Sequence, residues 1–350
     1  MCPASGCQGG IAIIRGFSDS TGTFRPASMR VLLVKTSSLG DVVHNLPALS
    51  DLARQHPQAS IDWVVEEAFA DIPRMHPAID RVIPVALRRW RRQLFRLQTW
   101  REMRQFREQL RRQPYDLVID SQGLLKSAVI AGQAAIAQAD ARCGPDAVSA
   151  REAVAARFYR QHFAVARQLH AVERNRLLVA AAAGYTVSGK PDYGIVAESV
   201  ALPWLPSGAY AVLLTATSRA DKEWPEPDWL ALASALLATG LRLVLPAGSP
   251  SERVRAARLA SALGRAVVAP PLTIRQLAAV MASASLVVGV DTGLVHLAAA
   301  LGRPTLALFC GSDPQLTGVR AGVRAVNLGG VGHPPSAGEA VKTALHLLDS

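Results

Sequence analysis

The chain has 350 residues, half of them hydrophobic, which is length for about two domains and enough apolar material for a core in each. No apolar run reaches the roughly 18 residues that a membrane-spanning helix needs, so the sequence does not read as an integral membrane protein. Lysine and arginine outnumber the acids by 38 to 27, and the net +11 points to a polyanionic partner such as nucleic acid, phosphorylated lipid or nucleotide. Cys2, Cys7, Cys143 and Cys310 lack the paired spacing of a disulfide framework or zinc site and suit a reducing cytoplasm.

Residues 1–28 carry turn formers and little periodicity, and lack the basic-then-apolar order of a secretory signal. They are expected to be a tail or a misassigned start, with the folded protein beginning near Met29 at the buried strand Val31–Val34. Further strands are predicted at Asp62–Val65, Leu117–Ile119, Ala211–Leu214, Leu241–Leu245, Leu286–Val290 and Thr305–Leu308. Helical patterns at Val42–Gln55, Trp229–Ala238 and Arg253–Leu263 alternate with them. Strands apolar on both faces, interleaved with helices, imply parallel sheets covered on both sides. The Gly- and Pro-rich stretch 184–208 is the expected linker between an N-terminal domain at 29–183 and a C-terminal domain at 209–350, whose last helix could return to the first domain. Ligands in such sheets bind beyond the carboxyl ends of the strands, so the strand-to-helix loops should hold the chemistry.

Arg88 to Arg112 concentrates ten arginines and two glutamates, so +8 of the net charge lies in 25 residues. Trp90, Leu94, Leu97, Trp100, Met103, Phe106 and Leu110 recur every three or four positions, an apolar helical stripe ringed by arginine. A solvated helix packed on its domain accounts for part of this. An anion-binding face docked on phosphorylated lipid accounts for the excess charge better than nucleic acid does, because no recognition motif accompanies it.

The first strand runs into Lys35-Thr-Ser37-Ser38-Leu-Gly40-Asp41, where Gly40 permits close approach and the serines add hydroxyls beside exposed N–H groups. Asp41 either caps the following helix or aims a carboxylate into the interdomain cleft, where it could accept a hydroxyl proton. No GK[ST] ending and no GxGxxG occurs, which removes the commonest ATPase and dehydrogenase readings. Three loops of the second half could converge on one ligand. Thr217, Ser218 and Lys222 suit phosphate oxygens, although Lys222 could be a plain exposed residue. Ser249 and Glu252 form a capping box, and Glu252 could equally hold ribose hydroxyls. Asp291-Thr292-Gly293 followed by His296 puts amides at a helix start, a ready diphosphate site.

KTSSLGDVVHNLPAL at 35–49, TATSRADKEWP at 215–225 and VDTGLVHLAAALGRPTLALF at 290–309 together resemble the ADP-heptose:lipopolysaccharide heptosyltransferases of glycosyltransferase family 9. SQGLLKSA at 121–128 and HAVERNR at 170–176 extend the likeness from Met29 to about Leu348, and the wording is that of the type I branch. The resemblance implies an α/β fold of GT-B type, two Rossmann-like doubly wound parallel-sheet domains facing a central cleft. It implies an inverting enzyme that moves L-glycero-D-manno-heptose from ADP-heptose to the first Kdo of Kdo2-lipid A, the alternative being a type II-like enzyme with a different acceptor. It places Asp41 as catalytic base. Thr217, Ser218, Lys222, Glu252, Leu272, Asp291, Thr292, Gly293 and His296 fall at donor positions, with Ser218 and Leu272 departing mildly from the usual threonine and methionine. Lys35, Ser37, Ser38, Gly40, Arg88, Arg89, Arg91, Arg92 and Arg151 fall on the acceptor side. ADP-heptose is a substrate, so no cofactor is expected; without an Asp-x-Asp, neither is a metal. The implied partners are ADP-heptose, Kdo2-lipid A and the anionic cytoplasmic face of the inner membrane. Nucleic acid is not expected, and a monomer is.

Overall fold

The computed structural model of the protein describes residues 29–217, 219–322 and 324–349, so the expectations for residues 1–28 and for Ser218 lie outside the described residues. Strands β1 (Arg30–Val34), β2 (Ser60–Glu66), β3 (Arg81–Val85), β4 (Leu117–Asp120), β5 (Arg142–Pro145) and β6 (Gln161–Phe163) pair in the order β3-β2-β1-β4-β5-β6. Strands β7 (Tyr210–Leu214), β8 (Arg242–Leu245), β9 (Ala266–Val268), β10 (Leu286–Val290), β11 (Thr305–Phe309) and β12 (Ala325–Gly329) form a second sheet in the order β9-β8-β7-β10-β11-β12. Pairing is parallel throughout both sheets. Each sheet starts in its middle, winds to one edge, then returns to wind the other way. The crevice at that reversal, between β1 and β4 and between β7 and β10, is where such sheets take ligands.

Alternation along the central strands feeds separate cores. Val31 and Leu33 of β1 pack with Leu46, Leu49, Leu52, Val172 and Val179, while Leu32 and Val34 pack with Phe106, Leu110 and Ile130. In the second half, Ala211 and Leu213 of β7 pack with Trp229, Leu232 and Leu236. Full burial of each such leucine or valine contributes about 1.5–3 kcal/mol, which fixes register strongly in the middle of each sheet.

The central strands lie where the sequence places them. β3, β5, β6, β9 and β12 were not foreseen. β3, β6, β9 and β12 are edge strands, three of them with arginine, proline, glutamine or asparagine in their short runs and β9 only three residues long, and β5 contains Gly144 and Pro145. Gly144 has a packing reason, since a Cβ there would stand 2.3 Å from the Tyr159 ring. The helix expected at Val42–Gln55 is two helices, Leu39–Val43 and Leu46–Gln55. Pro47 at the start of the second lacks an N–H, and in a continuous helix its ring would strike the Val43 carbonyl.

The arginine-rich stripe is also broken, into Leu87–Arg92 and Leu97–Arg111. Thr99 Oγ1 donates to the Gln93 carbonyl at 2.8 Å and Trp100 Nε1 to the Leu94 carbonyl at 2.8 Å, closing the turn between them. Trp90, Phe106 and Leu110 are buried, but Leu94, Leu97 and Trp100 are not. The stripe therefore serves the core only in part.

Residues 184–208 contain no helix or strand and run along the first half before entering β7. The last helix, Ala337–Asp349, does not return to the first domain. Its buried face, Ala340, Ala344 and Leu347, packs with Trp229 and Leu236 of the second half, where the small alanines allow close helix contact.

Arg176 anchors the connecting stretch to the first domain. Its guanidinium is buried, donates to Asp51 Oδ2 at 2.7 Å, and donates to the carbonyls of Ser188 and Gly189 at 2.9 and 3.2 Å. Removing Arg176 would leave the buried Asp51 carboxylate with only the half-exposed Arg54 and would orphan the Ser188 and Gly189 carbonyls. Arg176→Ala is expected to lower unfolding stability by about 3–5 kcal/mol in urea titration. Arg54→Ala, which removes the half-exposed partner of the same Asp51, should cost less than about 1 kcal/mol.

Candidate active site

On the first-domain side the site is set by the loop leaving β1. Gln122, just past β4, accepts from the backbone N–H groups of Thr36 and Ser37 at 3.1 and 3.2 Å. Lys35 Nζ donates to the Ser121 carbonyl at 2.7 Å and to Asn175 Oδ1 at 3.2 Å. The helix Leu39–Val43 can start only at the end of that clamped loop, so Asp41 in its first turn is placed by the sheet crevice itself.

Asp41 caps its helix and faces the cleft at once. It caps the helix, with Oδ2 accepting from the Ser38 N–H at 2.9 Å and the Ser38 hydroxyl at 3.2 Å. It also faces the cleft, where Arg151 holds it bidentately at 2.6 and 3.3 Å. Burial alone would raise its pKa; the cations of Lys35 and Arg151 and the Ser38 N–H override that and hold it down at about 2. Burial lowers the Lys35 ammonium to about 8, against the partial pull of Asp41.

The second domain contributes the loops after β7, β8 and β10. Lys222 Nζ donates to Asp291 Oδ2 at 2.5 Å, the Ser312 hydroxyl donates to the same oxygen at 2.5 Å, and His296 Nε2 lies 3.4 Å from Oδ1. Burial would raise Asp291, but the bonds from His296, Lys222 and Ser312 keep its carboxyl far below the ordinary range. Thr217 Oγ1 donates to the Asp291 carbonyl at 3.2 Å, tying the β7 loop to the β10 loop. Glu252 is committed to its capping box, accepting through Oε2 from Gly248 and Ser249 N–H groups at 2.7 and 3.2 Å, and it lines the cavity from that position.

The two sides meet. The helix Gly293–Ala300 abuts Leu39–Val43 so closely that a Cβ on Gly293 would stand 2.6 Å from Leu39 Cβ and 2.9 Å from the Gly40 nitrogen. His44 Nε2 and His296 Nδ1 are 3.2 Å apart across the junction. Over it opens a cavity of about 770 Å³ lined by both halves.

Of the expected residues, Ser38, Gly40, Asp41, Arg88, Arg151, Thr217, Lys222, Glu252, Leu272, Asp291, Thr292, Gly293 and His296 all line this cavity. Lys35 lies beneath it, in a small adjoining hollow with Asp41, Arg151 and Arg174. Ser37 is buried and takes a 2.8 Å bond from Lys126. Arg89 is engaged by Glu67 and Glu102 at 3.0 and 2.8 Å. Arg91 and Arg92 are exposed away from the cavity, on a helix whose buried residue is Trp90. The sequence did not single out Arg219, Phe69 or His44 on the lining, nor Ser312 behind Asp291. His44 lies within the first motif, but nothing local marks a buried histidine as facing another domain.

A model of glycosyltransferase family 9 (heptosyltransferase) matches residues 103–341. The chain belongs to glycosyltransferase family 9. Lipopolysaccharide heptosyltransferase 1 of Pseudomonas aeruginosa is 50% identical over 294 residues, 83% of this chain and 81% of that protein. The solved structure of E. coli heptosyltransferase WaaC with ADP is 43% identical, covers 91% of this chain and all of its own, and superposes with a TM-score of 0.83. The same enzyme with ADP-2-deoxy-2-fluoro heptose gives 42% identity, covers 91% of this chain and 99% of its own, and has a TM-score of 0.79. The fold is GT-B, and the chain is a glycosyltransferase of this family.

Arg151 is the exchangeable partner of Asp41, because its side chain is 43% exposed while that of Asp41 is 15% exposed. Arg151→Ala is expected to raise the Asp41 pKa from about 2, since burial then acts with one opposing cation fewer. The carboxylate form is lost as pH falls through that pKa, so the acid limb of the kcat/KM profile should move upward in pH. An unmoved limb would show that Arg151 does not set the ionisation.

Proposed function

We propose that the protein transfers L-glycero-D-manno-heptose from ADP-heptose to the first Kdo of Kdo2-lipid A, with inversion, at the anionic cytoplasmic face of the inner membrane. The activity is that of a lipopolysaccharide heptosyltransferase of type I. What carries the reading is one juxtaposition: Asp41 from the first sheet and the Lys222–Asp291–Gly293 cradle from the second front the same cavity.

Asp41 takes the proton of the Kdo hydroxyl as it attacks the anomeric carbon, and ADP leaves from the opposite face. A base whose pKa is about 2 is a weak one. The Kdo carboxylate offers Arg151 a competing partner, and once Arg151 turns to it, Asp41 loses a cation and becomes more basic. Substrate binding and base activation are then one event. Negative charge accumulates on the departing diphosphate. Lys222 has three N–H donors and spends one on Asp291, so its ammonium can bridge to phosphate without leaving its anchor. The N–H groups of Thr292 and Gly293 open the helix behind it and supply fixed positive dipole ends. Glu252 and Thr217 line the same side as candidates for the ribose and phosphate oxygens, with Leu272 an apolar wall.

Arg88 lines the cavity on the acceptor side, where its guanidinium lies 5.3 Å over the Phe69 ring. It is placed to meet acceptor phosphate or carboxylate together with Arg151. No cofactor or metal enters this reading.

Asp41→Ala is expected to fold and to bind ADP-heptose while turning over at least about a hundredfold more slowly, the usual loss for a general base. Turnover near wild type would remove Asp41 from the chemistry. Lys222→Ala should weaken ADP binding by calorimetry, and an unchanged dissociation constant would remove the phosphate contact. ADP release assayed with Kdo2-lipid A against an already heptosylated acceptor decides between the type I and type II-like acceptors.

A further inference from the structure

The broken arginine stripe leaves a feature that sugar transfer does not use. At the turn between the helices Leu87–Arg92 and Leu97–Arg111, Phe95 is fully exposed, and Leu97, Trp100 and Leu94 are 77%, 57% and 46% exposed. Four large apolar side chains within seven residues thus stand in water on a convex turn. Single exposed leucines are commonplace, but a contiguous group of this size marks a contact surface.

The turn is rigid rather than loose. Thr99 and Trp100 each hydrogen-bond back to the carbonyl six residues earlier. Trp100 therefore has its indole N–H satisfied internally and presents its ring with no polar demand on a partner. Around the turn, Arg91, Arg92, Arg96 and Arg101 are exposed and pair with no carboxylate among the described residues. Arg89 and Arg104, in contrast, are neutralised by Glu67, Glu102 and Glu108. Arg88, Arg107, Arg111 and Arg112 of the stretch also have no carboxylate partner among the described residues, but four of its unpaired arginines flank the apolar tip.

We propose that Leu94, Phe95, Leu97 and Trp100 form a wedge that inserts into the interfacial region of an anionic lipid bilayer, with Arg91, Arg92, Arg96 and Arg101 seated on the headgroups. This rests on the reading of the partner as an anionic membrane and names the surface that meets it. An apolar tip with a cationic collar is the composition of a monotopic membrane contact, where each element alone gives only marginal binding. A protein groove would need the partner to cover a protruding tip, and a nucleic acid would stack on Phe95 and Trp100 but gain nothing from Leu94 and Leu97. Position supports the same reading. Arg88, at the cavity, and Arg92, at the turn, lie on a single helix of six residues, roughly 9 Å long. A lipid-linked acceptor can keep its acyl chains in the bilayer beside the wedge while its sugar enters the cleft.

The test uses the full chain and phosphatidylcholine vesicles with and without phosphatidylglycerol. Wild type should co-sediment with the phosphatidylglycerol vesicles and much less with phosphatidylcholine alone. The double variant Phe95→Ser/Leu97→Ser should bind at least about tenfold more weakly, given the CH₂ groups lost from the membrane contact. Brominated lipid should quench Trp100, the most exposed described tryptophan, and Trp100→Phe should abolish most of that quenching. Turnover of a water-soluble Kdo acceptor should be unchanged in the double variant. Failure of wild type to bind anionic vesicles overturns the membrane reading and the wedge together. Wild-type binding matched by the double variant, or binding indifferent to phosphatidylglycerol, overturns the wedge alone. A loss of soluble-acceptor turnover also overturns it, because the turn would then belong to the catalytic body.

Discussion

Two helix beginnings meet head to head at the cleft, and the site depends on that contact. Leu39–Gly40 and Gly293 approach to a separation that tolerates no Cβ at 293, and a Cβ on Gly40 would stand 3.3 Å from the His296 ring. Each helix start brings unsatisfied N–H groups and the positive end of its dipole. Lys35, Arg151, Arg174 and Lys222 stand around the same point. Such a concentration of positive potential is costly in a partly buried place unless anions answer it. Without ligand, Asp41 and Asp291 answer it; with ligand, a diphosphate can. The site is thus preorganised for a polyanion by its own internal balance.

The two carboxylates are held in different ways. Asp291 takes Lys222, Ser312 and His296, partners fixed by three separate elements, and that full set of bonds makes it an anchor at the cavity wall. It positions the ammonium and the imidazole and is not free for chemistry. Asp41 has a fixed bond from Ser38 and a removable one from Arg151. Arg151 is the exposed member of its pair with Asp41, so an anionic ligand can draw it away. Both carboxyls are held below the ordinary range, yet one is locked among fixed partners and the other is paired with an exposed arginine.

What the sequence reveals follows burial. The central strands of both sheets are legible because both faces are covered and the residues must be Val, Leu or Ile. Edge strands escape because half their surface meets water or loop and admits Arg81, Pro84, Gln161 and Asn327. Asp41, Lys222 and the turn at 291–296 are legible because a strand, a polar turn and a helix start follow in immediate order, which is a local pattern. Ser312, His44 and Arg219 are not, since each matters only through a neighbour far away in the chain, and no spacing rule encodes that. The arginine stripe shows the converse. Its helical period is real in sequence, yet the turn at 93–96 diverts Leu94, Leu97 and Trp100 from the core, and periodicity cannot distinguish a face that is covered from one that is not.

Histidines supply buried polar contacts across the seam between the two halves. Across it run His44 to His296 and His170 Nε2 to the Gly318 carbonyl at 3.0 Å, while the ion pair Arg320–Glu173 is exposed and long at 3.6 Å. Burial, with the neighbouring histidines adding to it, pushes His44 well below its ordinary value, and burial lowers His170 to about 4. Both are therefore neutral in the packed seam. On separation they regain water and a pKa near 6.5. Above that pH neither state binds the extra protons, so the closed arrangement keeps its full stability. As pH falls from about 6.5 toward 4, the open state binds more protons and is favoured progressively. Near neutrality, separating the halves would break no buried ion pair at the seam among the described residues, and His44 and His170 would stay largely neutral. The strong charges line the cavity, and the seam beside it is left largely to neutral contacts. A transferase that must admit a nucleotide sugar and discharge ADP each turn needs that separation of roles, and the placement of neutral imidazoles at the joint supplies it.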